Sequence, residues 1–471
     1  METIIGLEVH VQLVTRTKLF CGCRADYFAA SPNTLTCPVC LGLPGALPVP
    51  NRRAVELALR IALALNADVQ PQSLFERKNY FYPDLPKGYQ ITQHDRPLAL
   101  GGYVAFTVDG EPRTVRLRQV HLEEDAGKLI HVPGGTLVDL NRCGVPLAEI
   151  VTEPDLRSPR EAWAFLQTLR TLVRHLRAST GDMEKGALRC DANLSLTSGG
   201  QMGTRTEIKN LNSLRAVERA LVAAAAHHRD HLSRGEAVVQ ATFGWDDQAE
   251  RLVLQRTKEE AEDYRYFPDP DLAPLEVSGE WLDELRAGMP ELPHARAERW
   301  ARDYRLAARD ADVLLGDPDL ADYYEDVARS VPDPRDAAGW VLSELRQFWT
   351  REKPPISAEN LAVLVREVQE GRISRTSGKE ILARAATSGN SVRELLAARD
   401  LAPVSDEALR RLAEETLAEN PQAVSDFRAG RPQALGFLVG QAMRKAGGRA
   451  DAARLAQVLR EILGLAGEST A

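Results

Sequence analysis

The sequence predicts an α+β fold: a largely antiparallel sheet with flanking helices, then an all-α helical region and a small helical tail. Up to about residue 290, short alternating stretches and turn signals dominate, interrupted by a few long helical patterns. Past the Pro-rich stretch Phe267-Pro-Asp-Pro-Asp-Leu-Ala-Pro274, strand signals nearly vanish and helical segments follow one another. The 471 residues, 44% hydrophobic and 27% charged, suffice for more than one domain and a sizeable core. The expected domains are 1–292, 293–402 and 403–471.

The first strand separates its faces cleanly. Ile5, Leu7, Val9, Val11 and Leu13 are apolar, and Glu8, His10 and Gln12 fall between them. A period of two puts Glu8 and His10 on one face over an apolar underside. Arg53 to Asn66 reads as a helix. Val104–Val108 and Thr114–Arg118, joined around Asp109-Gly110, read as a hairpin. Pro159 to Ala178 is a second helix, with Ser158 as N-cap and Pro159 at its first position. In Arg189–Leu196, Cys190, Ala192, Leu194 and Leu196 face one way and Arg189, Asp191 and Asn193 the other. Leu214 to about Ser233 is a third helix. Beyond residue 280, helices are expected over Ser357–Glu370, Ser377–Ala386 and Asp406–Ala418, punctuated by Pro332, Pro334, Pro354, Pro355 and Pro403.

The net charge of −8 does not favour broad nucleic-acid binding, but it leaves room for a local basic face. No apolar run is long enough to span a bilayer, and Met1–Gly6 lacks the form of a signal peptide, so a cytoplasmic location with no membrane partner is expected. Four of the six cysteines lie in the first forty residues, which favours metal over disulfides. They form Cys21-Gly-Cys23, then thirteen residues, then Cys37-Pro-Val-Cys40. Two thiolate pairs suit a tetrahedral structural zinc; the bland alternative is unligated thiols. Cys143 and Cys190 read as packing residues.

Acidic segments recur on strands: His121-Leu-Glu-Glu-Asp125, Leu147-Ala-Glu-Ile150, Arg189-Cys-Asp-Ala-Asn193 and Arg205-Thr-Glu-Ile-Lys209. Any one acid is ordinarily a solvated or capping side chain. Together, Glu8, His10, Glu124, Glu149 and Glu207 form a candidate Mg²⁺–phosphate site, because Mg²⁺ takes oxygen ligands while bridging substrate phosphates. Glu124 and Glu149 share strand parity with apolar neighbours, and alternation turns them inward, where a carboxylate needs a cation. Arg77–Gln90 mixes aromatics with cations, as a nucleotide or RNA end requires; the alternative is an aromatic loop packed on the core. There is no G-x-x-x-x-G-K-[ST] motif, so ATP use would not be of the P-loop type. Thr197-Ser-Gly-Gly200 is too weak to count as an amidase nucleophile.

Several stretches resemble the B subunits of tRNA-dependent amidotransferases, the GatB family. They are Gly6-Leu-Glu-Val-His10, Lys78-Asn-Tyr-Phe-Tyr-Pro-Asp84, His121 to Lys128, Asp139-Leu-Asn-Arg142, Glu149 to Asp155, Leu188 to Asn193, Lys209-Asn-Leu-Asn-Ser213 and Asp263-Tyr-Arg-Tyr-Phe-Pro268. Phe437-Leu-Val-Gly-Gln-Ala-Met443 resembles the family's YqeY-like tail, although Gly447–Ala453 departs from the usual basic, Pro-containing form. The resemblance implies a glutamine-synthetase-like cradle for the first domain. It implies ATP-dependent transamidation of Glu-tRNA(Gln), Asp-tRNA(Asn) or both, with ammonia from the glutaminase partner (the family's A component) and a small C component clasping the two. A matching non-discriminating aminoacyl-tRNA synthetase is a further partner. The implied roles are Mg²⁺ ligation by His10, Glu124 and Glu149, support from Glu8 and Glu207, phosphate contacts by Lys78 and Lys209, and structural Zn²⁺ on Cys21, Cys23, Cys37 and Cys40.

The tail is locally basic. Arg428, Arg431, Arg444, Lys445, Arg449, Arg454 and Arg460 stand against the single acid Asp451, the excess that phosphate contacts need. Two rival readings remain at this stage: a zinc-containing RNA-binding scaffold without chemistry, and a small-molecule carboxylate–amine ligase. The first leaves the acidic strands idle; the second leaves the helical tail idle.

Overall fold

The computed structural model describes residues 1–198, 201–257, 263–350, 354–397, 406–446, 450 and 452–464. Its first unit, Met1–Pro293, is organised by one large sheet. The elements that position the site are β1 (Glu2–Gln12), α1 (Arg52–Ala64), β2 (Glu76–Asn79), β3 (Tyr89–Thr92), β4 (Glu111–Glu124), β5 (Pro146–Thr152), α2 (Pro159–His175), β6 (Leu188–Ser198), β7 (Thr206–Leu211), α3 (Leu214–Ser233), β8 (Ala241–Asp246) and β9 (Arg251–Thr257).

Across the sheet the order is β9-β8-β7-β6-β1-β5-β4, followed by the short strands Ala99–Leu100 and Asp68–Val69. The pairings are antiparallel except β7 with β8, as expected for a largely antiparallel sheet. The central strand alternates as its sequence demands. Ile5, Leu7, Val9 and Val11 are buried under α1, α2 and α3, in one core with Leu57, Phe165 and Val217. Glu8 and His10 are left on the opposite, helix-free side.

Local chemistry explains the boundaries. Asn51 caps α1, Ser158 caps α2 with Pro159 behind it, and Ser213 caps α3. The second helix stops at His175, short of the expected Ala178, because Arg177 adopts a left-handed conformation (φ 52°). The Asp109-Gly110 turn has positive φ at both residues, the geometry that closes a two-residue hairpin without splaying its strands.

One irregularity matters for the site. Where β5 steps from Val151 to Thr152, its partner β4 steps from Gln119 to Leu117. Arg118 is the extra residue of a bulge, and the buried positions change parity across it. Val115 and Leu117 are core residues before the bulge; Val120 and Leu122 are core residues after it.

In the second unit, His294–Ala471, every regular element among the described residues is a helix. Trp300, Tyr324, Trp340 and Leu364 anchor one hydrophobic cluster. Leu409, Leu438, Leu455 and Leu459 form another, and Gln433–Lys445 carries the Phe437–Met443 stretch. The expected boundary at 402/403 lies outside the described residues.

Candidate functional site

The helix-free face of the sheet forms the floor of an open cleft of about 540 Å³. Register builds it row by row. On neighbouring strands β6, β1, β5 and β4, Arg189 lies opposite His10, His10 opposite Glu149, and Glu149 opposite His121. Asp191 sits opposite Glu8 in the next row, and Glu207 on β7 opposite Asn193. Glu123, two residues beyond His121, shares its face.

The heart of the cleft is a carboxylate–imidazole cluster. His10 Nε2 lies 3.4 Å from Glu123 Oε1 and 3.7 Å from Glu149 Oε2. His121 Nε2 lies 3.0 Å from Glu149 Oε2 and 3.8 Å from Glu123 Oε2. One ligand atom each from His10, Glu123 and Glu149 come within 4.8 Å of one another. Around Mg²⁺ at about 2.1 Å, adjacent ligands stand about 3 Å apart, so this donor set of two carboxylates and an imidazole fits a divalent cation. Burial alone would push the Glu149 carboxyl up, but His10 and His121 outweigh it and hold it well below the usual range. Burial opposes a charged His121 as well, yet Glu149 and Glu123 raise it to about 10. Glu8 goes the other way: burial, then Glu149, Asp191 and Glu207, raise its carboxyl.

Of the residues the sequence proposed, Glu8, His10, Glu149, Glu207, Lys78 and Lys209 all line this cleft. Asn193 donates to Glu8 (3.0 Å), and Thr242 donates to Glu207 (3.0 Å). Lys209 Nζ bridges Asp191 (2.6 Å) and Glu207 (2.9 Å), while Lys78 Nζ sits 4.6 Å from the centre of the Tyr264 ring. Glu124 is elsewhere. It shares the core parity of Val120 and Leu122, so it turns away from the cleft and forms a buried ion pair with Lys87. The place expected for Glu124 is filled by Glu123. His121, Glu123, Asp125 and Asp191 belong to acidic segments visible in the sequence, where nothing singles them out individually. The signal that finds two of them is the period of two linking His121 to Glu123.

Glu124 faces the cysteine quartet instead. It lines a cavity of about 280 Å³ with Lys18, Cys21, Cys40 and Lys87. The sulfurs of Cys21, Cys23, Cys37 and Cys40 all lie within 4.8 Å of one another, with Cys37 and Cys40 3.9 Å apart. A tetrahedral zinc about 2.3 Å from each sulfur spaces them about 3.8 Å apart, so the quartet fits that ion. A hydrogen bond from Cys21 lowers the Cys40 thiol to about 5, and Lys18 Nζ stands 3.7 Å from its sulfur. Cys143 and Cys190 are buried.

In the tail, Arg431 pairs with Asp426 (3.2 Å), Lys445 with Glu419 (2.5 Å) and Arg454 with Asp406 (2.9 Å). Arg428, Arg444 and Arg460 are exposed, with no ion pair among the described residues. Arg449 and Asp451 lie outside the described residues.

The fold and the cleft define a class: a catalytic domain that carries its polar groups on an antiparallel sheet, in a chain with a helical second unit. Residues 3–283 match the family described as the GatB/GatE catalytic domain, and 322–463 match the GatB domain. The B subunit of the aspartyl/glutamyl-tRNA(Asn/Gln) amidotransferase of Thermomicrobium roseum is 51% identical, covering 98% of both chains. Its counterpart in Moorella thermoacetica is 48% identical over 98% of this chain and 99% of its own. That of Thermotoga maritima is 45% identical over 98% of each. The chain belongs to the GatB family of tRNA-dependent amidotransferase subunits.

Proposed function

We propose that this chain is the kinase and transamidase component of a tRNA-dependent amidotransferase, acting on Glu-tRNA(Gln), Asp-tRNA(Asn) or both. The observation that carries the reading is the His10–Glu123–Glu149 cluster at the floor of the cleft, in a chain of this family. An oxygen of the aminoacyl side-chain carboxylate attacks the γ-phosphorus of ATP, and ADP leaves. Ammonia then adds to the acyl phosphate carbon, loses a proton, and phosphate departs, leaving the amide. The first step makes a poor electrophile reactive, and its demands are positioning and charge neutralisation.

His10, Glu123 and Glu149 would hold Mg²⁺, which supplies charge neutralisation on the transferring phosphoryl group. Glu123 takes this role in place of Glu124, whose charge Lys87 already balances. His121 orients both carboxylates from behind. Lys78 and Lys209 place cations along the cleft for phosphate oxygens, and Glu8 and Glu207 support from the neighbouring rows. An acyl phosphate hydrolyses readily, so ammonia must arrive locally. The glutaminase partner supplies it, and the small C component completes the assembly. Zn²⁺ on Cys21, Cys23, Cys37 and Cys40 braces the segment beside the sheet. The exposed Arg428, Arg444 and Arg460 touch tRNA phosphates. The complex works in the cytoplasm, and among the described residues no helix is long and apolar enough to cross a membrane.

The test is phosphate release from labelled ATP by the reconstituted complex, given ammonium and Glu-tRNA or Asp-tRNA. Release that depends on the misacylated tRNA is expected; release indifferent to it would overturn the reading.

A further inference from the structure

Lys18 is the most completely buried cation among the described residues of the first unit, with 0% exposure. A lysine ordinarily keeps its ammonium in water while its stem is covered. An ammonium buried without an anion is costly. Three cations and two carboxylates line the cavity beside the cysteine quartet: Lys18, Arg77, Lys87, Glu124 and Asp271. Lys87 is matched to Glu124, and Arg77 to Asp269 (2.7 Å) and Asp271 (3.0 Å). Lys18 makes no ion pair with a carboxylate among the described residues. Its Nζ donates instead to the Leu35 carbonyl at 2.7 Å and to Cys40 Sγ at 3.7 Å.

The path of the chain puts the ammonium there. The Lys18 amide donates to the Cys23 carbonyl at 2.9 Å, and its neighbour Thr17 bridges Arg24, so the backbone of Lys18 is tied to the first knuckle. Its side chain crosses to the second knuckle. Leu35 lies two residues before Cys37, and Asn141 fixes it by accepting from its amide at 2.7 Å. One residue thus spans both halves of the quartet. Four thiolates around Zn²⁺ leave two negative charges on the centre. The backbone answers them with dipoles, such as the Cys37 amide donating to Cys40 Sγ at 3.2 Å. Lys18 answers them with a full charge. Groups that donate to a ligand atom tune a metal site nearly as strongly as the ligands themselves.

We propose that Lys18 is the counter-cation of the zinc centre: its ammonium offsets part of the tetrathiolate charge at Cys40 Sγ and so sets the affinity of the quartet for the metal. The inference rests on reading the quartet as a zinc site. Lys18 and Lys87 then divide the cavity between them, one neutralising sulfur and the other a carboxylate.

The experiment uses the assembled complex carrying Lys18→Met, which keeps most of the side chain's length and removes its charge. Zinc affinity, measured by competition with a chromophoric chelator, is expected to fall about ten- to hundredfold. With Co²⁺ in place of zinc, the sulfur-to-metal charge-transfer band should move to longer wavelength, because a thiolate without its cation gives up an electron more readily. A lysine that only supports the fold would leave the band in place. Unchanged affinity, or an unmoved band, would overturn the proposal. If the variant fails to assemble, a crystal structure of the unmutated zinc-loaded complex decides. Lys18 Nζ against Cys40 Sγ on the metal supports the proposal, and Nζ turned to Glu124 overturns it. Absence of zinc from the unmutated complex would overturn the zinc reading itself, a result distinct from normal zinc content with an unshifted affinity.

Discussion

Glu123 and Glu124 are adjacent in the chain and serve opposite sides of one sheet. On the cleft side, Glu123 and Glu149 lie against two imidazoles, His10 and His121, with the cations of Lys78 and Arg189 acting from farther off. On the knuckle side, Glu124 has a buried lysine, Lys87, and accepts from the Ile91 amide at 2.9 Å. A carboxylate that a lysine neutralises has no need of a metal. Carboxylates gathered around shared histidines, with no lysine in direct ion-pair contact among the described residues, form a ready cation site. The same contrast separates two buried histidines: His121, between two acids, is raised to about 10, whereas burial and the neighbouring His227 and His231 lower His228 to about 4.

The largest expected effect breaks the knuckle side. Lys87→Met leaves Glu124 buried without its cation and should cost about 3–5 kcal/mol in denaturant unfolding. Adding Glu124→Gln to that variant should recover much of the loss; no recovery would mean that the pair is not the reason. On the cleft side, Glu123→Gln or Glu149→Gln in the complex should lower tRNA-dependent ATP turnover about a hundred- to thousandfold while the basal glutaminase of the proposed partner survives. Glu124→Gln alone should leave the Mg²⁺ requirement as it was, and a Mg²⁺ requirement that shifts only there would reverse the assignment. Cys40→Ser should lower zinc content by metal analysis and cost about 2 kcal/mol, with the cleft's Mg²⁺ dependence unchanged. Absence of zinc from the unmutated protein would refute the quartet's role.

The smallest effect concerns His228, which hydrogen-bonds Thr206 at 3.0 Å. Its folded pKa lies below the ordinary 6.5, so the unfolded chain binds the proton more readily. Its contribution to stability is therefore complete above pH 6.5 and is lost as pH falls from there toward 4. His228→Gln should flatten the unfolding midpoint across that window; an unchanged slope would place the titration elsewhere.

Much of this was legible in the sequence because a strand's period of two is a strict sorter. Ile5 to Leu13 displayed the core face and the site face of β1 directly, and Ser158-Pro159 and Ser213 marked helix starts through capping. Glu124 shows where such reading stops. Its inward turn followed from parity with Leu122, but a sheet has two insides: the helix-covered core side and the cleft. Which one a strand's parity serves changes at a bulge, and the Arg118 bulge is a product of pairing with β5 that no local pattern announces. Lys87 was equally invisible as a partner, because thirty-seven residues separate it from Glu124.

The most direct measurement is anomalous diffraction from crystals of the complex soaked with Mn²⁺ and a non-hydrolysable ATP analogue. A single strong peak bounded by His10 Nε2 and the carboxylates of Glu123 and Glu149 is the expected result. A peak ligated by Glu124, or none on the cleft side of the sheet, would contradict the account.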